Sequence, residues 1–235
     1  MTQFPMALAK LPEMISLNIS NNSLWSAEEV YKGLDAIANG PAKEKLQILY
    51  VRDNNLREVP ESFRNLKKIG LLDLAQNQIE TIHPLGKEVA PVKLYFDNNK
   101  LTSLPADGNG LFCTMDDIET FSATYNKFTK FPNIFSAKSK FTIGEVDFSY
   151  NEIDGFEGEE DGTFRGLNIE QLSLAANKFT KFPKCLGTTG SLVAYIILRC
   201  NMIDEIPEGS FSGKYSTSMT SLDLTYNKLS KLPKD

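Results

Sequence analysis

Histidine is almost absent: the 235 residues hold one, His83. A Ser-His-Asp or Cys-His mechanism would have to run through it. It stands in a connecting segment, TIHPLG, and reads as a surface side chain. Cysteine is nearly as scarce. Cys113, Cys185 and Cys200 are an odd set without a CxxC pair, which excludes a disulfide framework and a zinc site. No apolar run approaches the roughly 18 residues that read as a membrane span. The opening MTQFPMALAKLPEM lacks a basic start followed by an apolar run, so it is not a signal peptide. Positive charge is also in deficit. There are 25 basic and 30 acidic residues, a net charge of −5, and no Lys/Arg run, which argues against a nucleic-acid partner.

What is abundant is leucine, with 27 residues, and asparagine, with 18. Together they announce a repeat. The template L-x-x-L-x-L-x-x-N-x-L fits nine segments, beginning at Met14, Leu46, Ile69, Pro91, Ile118, Ile143, Ile169, Val193 and Met219. Its asparagines are Asn22, Asn54, Asn77, Asn99, Asn126, Asn151, Asn177, Asn201 and Asn227, spaced 22 to 32 residues apart. The apolar residues at template positions 4 and 6 recur with period two, so they face one side of a short strand. Leu49 with Val51, and Val146 with Phe148, are such pairs. One strand cannot bury that face alone. Stacked copies join into one parallel sheet with a continuous core. Each asparagine follows its strand, where its amide can satisfy the backbone groups that the turn leaves unpaired.

With these residues in place, the chain resembles the leucine-rich repeat family over essentially its whole length, 1–235. The resemblance implies an α/β solenoid, a right-handed horseshoe. A single parallel sheet would line the concave face, with irregular turns and short helices on the convex face. Proline signals such as EVPESF and KFPNIF follow the turns, and Phe63, Phe112, Phe135, Phe164 and Phe211 then recur as an expected convex column. One longer helix is expected in WSAEEVYKGLDAIANG, with Ser26 as N-cap, Glu29 closing a capping box and Trp25 packing on Val30. FPMALAKLP reads as the return half of an earlier copy, and KLPKD stops just after a proline signal. The chain is therefore expected to be a piece of a longer array.

Residues alternating with the core pairs point to the concave side. Tyrosine and arginine collect there, and both combine contact area with a polar handle. The expected ligand-binding residues are Tyr50, Arg52, Tyr95, Asp97, Tyr125, Tyr150, Tyr195 and Arg199. Tyr50, Arg52 and Tyr95 are expected in one cluster, and Tyr195, Ile197 and Arg199 in another. The acidic stretch NEIDGFEGEEDG at 151–162 does not match a calcium-loop spacing and reads as a solvated loop. No catalytic residue, metal or cofactor is expected. The expected function is non-catalytic recognition of a protein or glycan. The irregular spacing and the NKFTKFP style look similar to surface leucine-rich repeat proteins of gut anaerobes, which implies a cell-surface or extracellular setting. The alternatives are a cytoplasmic scaffold and the substrate-targeting part of a larger enzyme.

Overall fold

Each template copy becomes one strand in the computed structural model, which describes residues 3–22, 26–86, 88–105, 117–132, 141–157, 167–188, 192–212 and 218–232. The strands are β1 (Ser16–Asn18), β2 (Ile48–Tyr50), β3 (Leu71–Asp73), β4 (Lys93–Tyr95), β5 (Asp117–Ser122), β6 (Phe141–Asp147), β7 (Leu167–Ser173), β8 (Leu192–Ile197) and β9 (Ser221–Asp223). They form one sheet in chain order, every neighbouring pair parallel. Register follows the template: Leu49 pairs with Leu72, Leu72 with Leu94 and Leu94 with Phe121. The position-4 and position-6 side chains from Leu49 to Leu198 are buried, as expected of the core.

The asparagines do the structural work read from the sequence. In Asn151, Nδ2 donates to Ala123 O of the preceding coil at 3.0 Å and to Phe148 O of its own coil at 3.0 Å. Its Oδ1 accepts from Phe128 N of the preceding coil at 3.1 Å. Asn77, Asn99, Asn126, Asn177, Asn201 and Asn227 repeat this pattern. Oδ1 of Asn54 has no partner among the described residues.

Two backbone features were not read from the sequence. Position 8 is left-handed in all nine copies: Asn21, Asp53, Gln76, Asn98, Tyr125, Tyr150, Ala176, Cys200 and Tyr226 have φ between 52° and 59°. That conformation is uncommon for non-glycine residues. Here the amide of position 8 donates to the position-7 carbonyl of the next coil, as from Tyr150 to Ala175 at 2.9 Å. The bond fixes the chain as it turns off the sheet. At the strand entry, the amides of positions 2 and 3 both donate to one carbonyl of the coil before. Glu119 and Thr120 share Val92 O in this way, at 2.8 and 3.1 Å. No residue is inserted, since Ile118 pairs with Ile143 and Thr120 with Glu145, but the coils approach closely here. At Gly144 an added Cβ would lie 2.5 Å from Glu119 O, so only glycine fits without a shift.

The expected helix is α1 (Ala27–Asn39), and Ser26 Oγ accepts from Glu29 N at 3.2 Å. The Glu29 carboxylate instead accepts from Phe4 N at 3.3 Å, tying the amino-terminal segment to the helix. Trp25 lies outside the described residues. Met6–Lys10 and Glu61–Asn65 are both 3-10 turns that follow a proline. Of the expected phenylalanine column, Phe63 is buried and Phe211 packs against Phe182. Phe112, Phe135 and Phe164 lie outside the described residues. The continuous aromatic packing runs instead through Phe96, Phe121, Phe128, Phe131, Phe148 and Phe156.

Candidate functional site

The open face of the sheet is built from template positions 2, 3, 5 and 7, with position 8 on its margin. Strands β1 to β4 and β9 have three residues each, whereas β5 to β8 have six or seven. The middle of the sheet is therefore wider. A cavity of about 450 Å³ opens there, lined by Glu119, Thr120, Gly144, Glu145, Glu170, Gln171 and Tyr195. A second, of about 370 Å³, shares Gly144 and Glu170 with it. Together they make one trough over the close approach at Gly144. Gln171 Nε2 donates to Glu145 Oε1 at 3.1 Å, and Lys93 pairs with Glu119 at 2.7 Å.

All eight expected ligand-binding residues lie on this face or its margin, in different surroundings. Tyr50, Asp73 and Tyr95 stand in one row, so the two tyrosines flank an aspartate rather than touch across one strand. Arg52 Nε donates to Gln76 Oε1 at 3.0 Å, and its guanidinium is 3.9 Å from Asp73. Asp97 is committed to the strand end: it accepts from Ser122 Oγ, from Thr124 N at 2.9 Å and from Thr124 Oγ1 at 2.7 Å. Tyr125 and Tyr150 stack, with ring centroids 4.2 Å apart. Tyr195 lines the trough and is 44% exposed. Ile197 shares its strand, and exposed Arg199 follows two residues on, near enough to Asp223 to help lower its pKa after the Thr225 hydrogen bonds.

The family model described as Leucine Rich Repeat matches residues 45–66. A leucine-rich repeat protein from Bacteroides eggerthii superposes over 99% of this chain with a TM-score of 0.82 and 35% identity. The chain is a leucine-rich repeat protein. A second such protein, from Bacteroides thetaiotaomicron, superposes over 97% of it with a TM-score of 0.80 and 33% identity. Lumican of Homo sapiens is 26% identical over 219 residues, 84% of this chain and 61% of lumican. The chain covers 40% and 28% of the two Bacteroides proteins. This fold is typically a protein-interaction scaffold. No helix among the described residues is long and apolar enough to cross a membrane, and no group of described side chains there has the composition to hold a metal ion. Glu159, Glu160 and Asp161 of the acidic stretch lie outside the described residues.

Sequence reading passed over the acidic side of this leucine-rich repeat face. Glu145 and Gln171 occupy template position 3 beside Tyr195, and following that row from Tyr195 would have found them. Burial pushes the Asp147 carboxyl up, and the charge of Asp97 adds to the shift while hydrogen bonds from Ser149 and Ser173 oppose it. Burial likewise raises Glu145, helped by Asp147 and Asp97. A carboxyl raised by folding holds its proton more tightly in the native state. Its contribution to stability is fully present below the unfolded value and is lost as pH rises through the raised one. Asp147→Asn is therefore expected to raise the urea midpoint at neutral pH, with the gain shrinking on acidification. The amide keeps the bond to Ser149 N, because Asn18 makes the equivalent bond to Ser20 N in β1. Unfolding curves at the two pH values check this.

Proposed function

We propose that this chain is a non-catalytic recognition module that takes a protein or glycan on the open, concave face of its sheet, within a cell-surface protein. The observation that carries the reading is where exposed side chains collect. Ile15, Val92, Tyr125, Tyr150, Leu192, Tyr195 and Tyr226 are large, exposed and on or beside the sheet face. Leu192 and Tyr195 line the trough, and all seven sit on a backbone tied together by the asparagine rows. Exposed aromatic area on a preorganised surface lowers the ordering cost of binding. The net charge of −5 and the carboxylates around the trough favour a neutral or basic ligand over a polyanion. The likeness to lumican and to the two Bacteroides proteins supports a surface setting.

The test is an array of glycans and extracellular proteins, followed by the triple variant Tyr95→Ala, Tyr195→Ala, Arg199→Ala on any ligand found. None of the three is in the core. Binding is expected to fall by at least about 100-fold while the melting transition stays put. A triple variant that binds as the parent does would show that the ligand sits elsewhere.

A further inference from the structure

The position-8 row places tyrosine in two successive coils. Tyr125 and Tyr150 lie face to face, with planes 6° from parallel and centroids 4.2 Å apart. Both backbones are left-handed, and each is held there by its amide, Tyr125 to Ser149 O at 3.1 Å and Tyr150 to Ala175 O at 2.9 Å. Asn126 and Asn151 anchor the next residue of each coil on two sides. The backbone cannot slide the rings apart. The rings are nevertheless 50% and 46% exposed, so neither is a core side chain and both are open to a reagent in solution.

No other described tyrosines on this face are placed like this. Tyr50 and Tyr95 have Asp73 between them, and Tyr195 pairs in register with Gln171 and Ser221. Tyr226 is 83% exposed, and its row neighbour on the preceding coil is Cys200.

We propose that Tyr125 and Tyr150 form an oxidative coupling site, at which a haem peroxidase with hydrogen peroxide joins them as dityrosine and staples the fifth coil to the sixth. Each phenol gives up one electron and its hydroxyl proton, leaving a phenoxyl radical. The radicals combine through a new carbon–carbon bond between ring carbons ortho to the oxygens. Each bonded carbon then releases its hydrogen as a proton, and each oxygen regains one, restoring both phenols. Two hydrogens are lost overall, and one hydrogen peroxide is reduced to two waters. The rings must swing out of parallel as the bond forms, which half-exposed side chains can do. Tyrosines held on adjacent coils meet far more often than those of separate chains at micromolar protein, so coupling within the chain outruns coupling between chains.

The experiment uses the full chain with Cys200→Ser, because the exposed thiol competes for the oxidant. After treatment with a haem peroxidase and hydrogen peroxide, the protein is expected to stay monomeric on a denaturing gel and to gain dityrosine fluorescence. Digestion should yield one linked peptide pair containing Tyr125 and Tyr150, lighter by two hydrogen atoms. Tyr125→Phe or Tyr150→Phe keeps the stacked ring but removes one phenol, and should cut the fluorescence about tenfold or more. Tyr226→Phe should leave it unchanged. Covalent dimers linked through Tyr226, fluorescence that survives both phenylalanine variants, or oxidation of the tyrosines without dityrosine would each overturn the assignment.

Discussion

Asn151→Ala is expected to lower the stability of the chain by about 3–5 kcal/mol, a large fraction of what a domain of this kind has. The side chain is buried and belongs to two coils. Truncation leaves Phe128 N without its acceptor and takes one of two amide donors from Ala123 O and from Phe148 O, which keep Asn126 and Asn177 respectively. The stranded amide costs about 1–3 kcal/mol, and each of the two lost carbonyl bonds about 1 kcal/mol. The matching change at the last copy, Asn227→Ala, should cost clearly less. Asn227 is only half-buried, so water can take over part of its role. Urea unfolding of the two variants side by side gives the comparison. Equal losses would mean that water does not relieve the groups left unpaired at the more exposed last coil.

Phe148→Ala should be of similar size, about 3–5 kcal/mol, for a different reason. The ring is fully buried and meets Phe121 at 5.5 Å, Phe128 at 5.2 Å and Phe131 at 5.0 Å between centroids. Removing it opens a cavity where three other rings converge, and those rings are held by their own coils and cannot all collapse inward. Phe148→Leu should recover more than half of the loss. Phe211→Ala is the control: that ring is half-buried and meets Phe182 at 5.2 Å. Chemical denaturation with native-state circular dichroism separates lost stability from lost fold.

The parts of the architecture that were legible are those written in side-chain chemistry. Asn77, Asn99 and their counterparts could be assigned to turns because an amide is the group that such a turn needs. Leu49 with Val51, and Val146 with Phe148, could be assigned to the core because their alternation permits one orientation. The left-handed backbone at position 8 was not legible. Asp53, Gln76, Tyr125, Ala176 and Cys200 share no propensity for it, and the conformation is imposed by bonds to a coil more than twenty residues on. The trough escaped for the same reason. It depends on Gly144 meeting Glu119 O on the neighbouring coil, a contact that leaves no local pattern. The stacking of Tyr125 on Tyr150 required the spatial row as well as the template column. Their separation in sequence, 25 residues, says nothing until the coils are in register.

The asparagine bonds also bear on how such a gene can change. Each asparagine from Asn77 to Asn201 reaches a position-6 carbonyl and a position-11 amide of the coil before it, and these are backbone groups that every coil possesses whatever its side chains. Excise the stretch from one asparagine to the next, or copy it, and the flanking coils meet with the same donors and acceptors facing each other. The joint is indifferent to which copy arrives. Length thus becomes a variable that unequal recombination can adjust one coil at a time, while the display residues travel with their coil as a unit of inheritance.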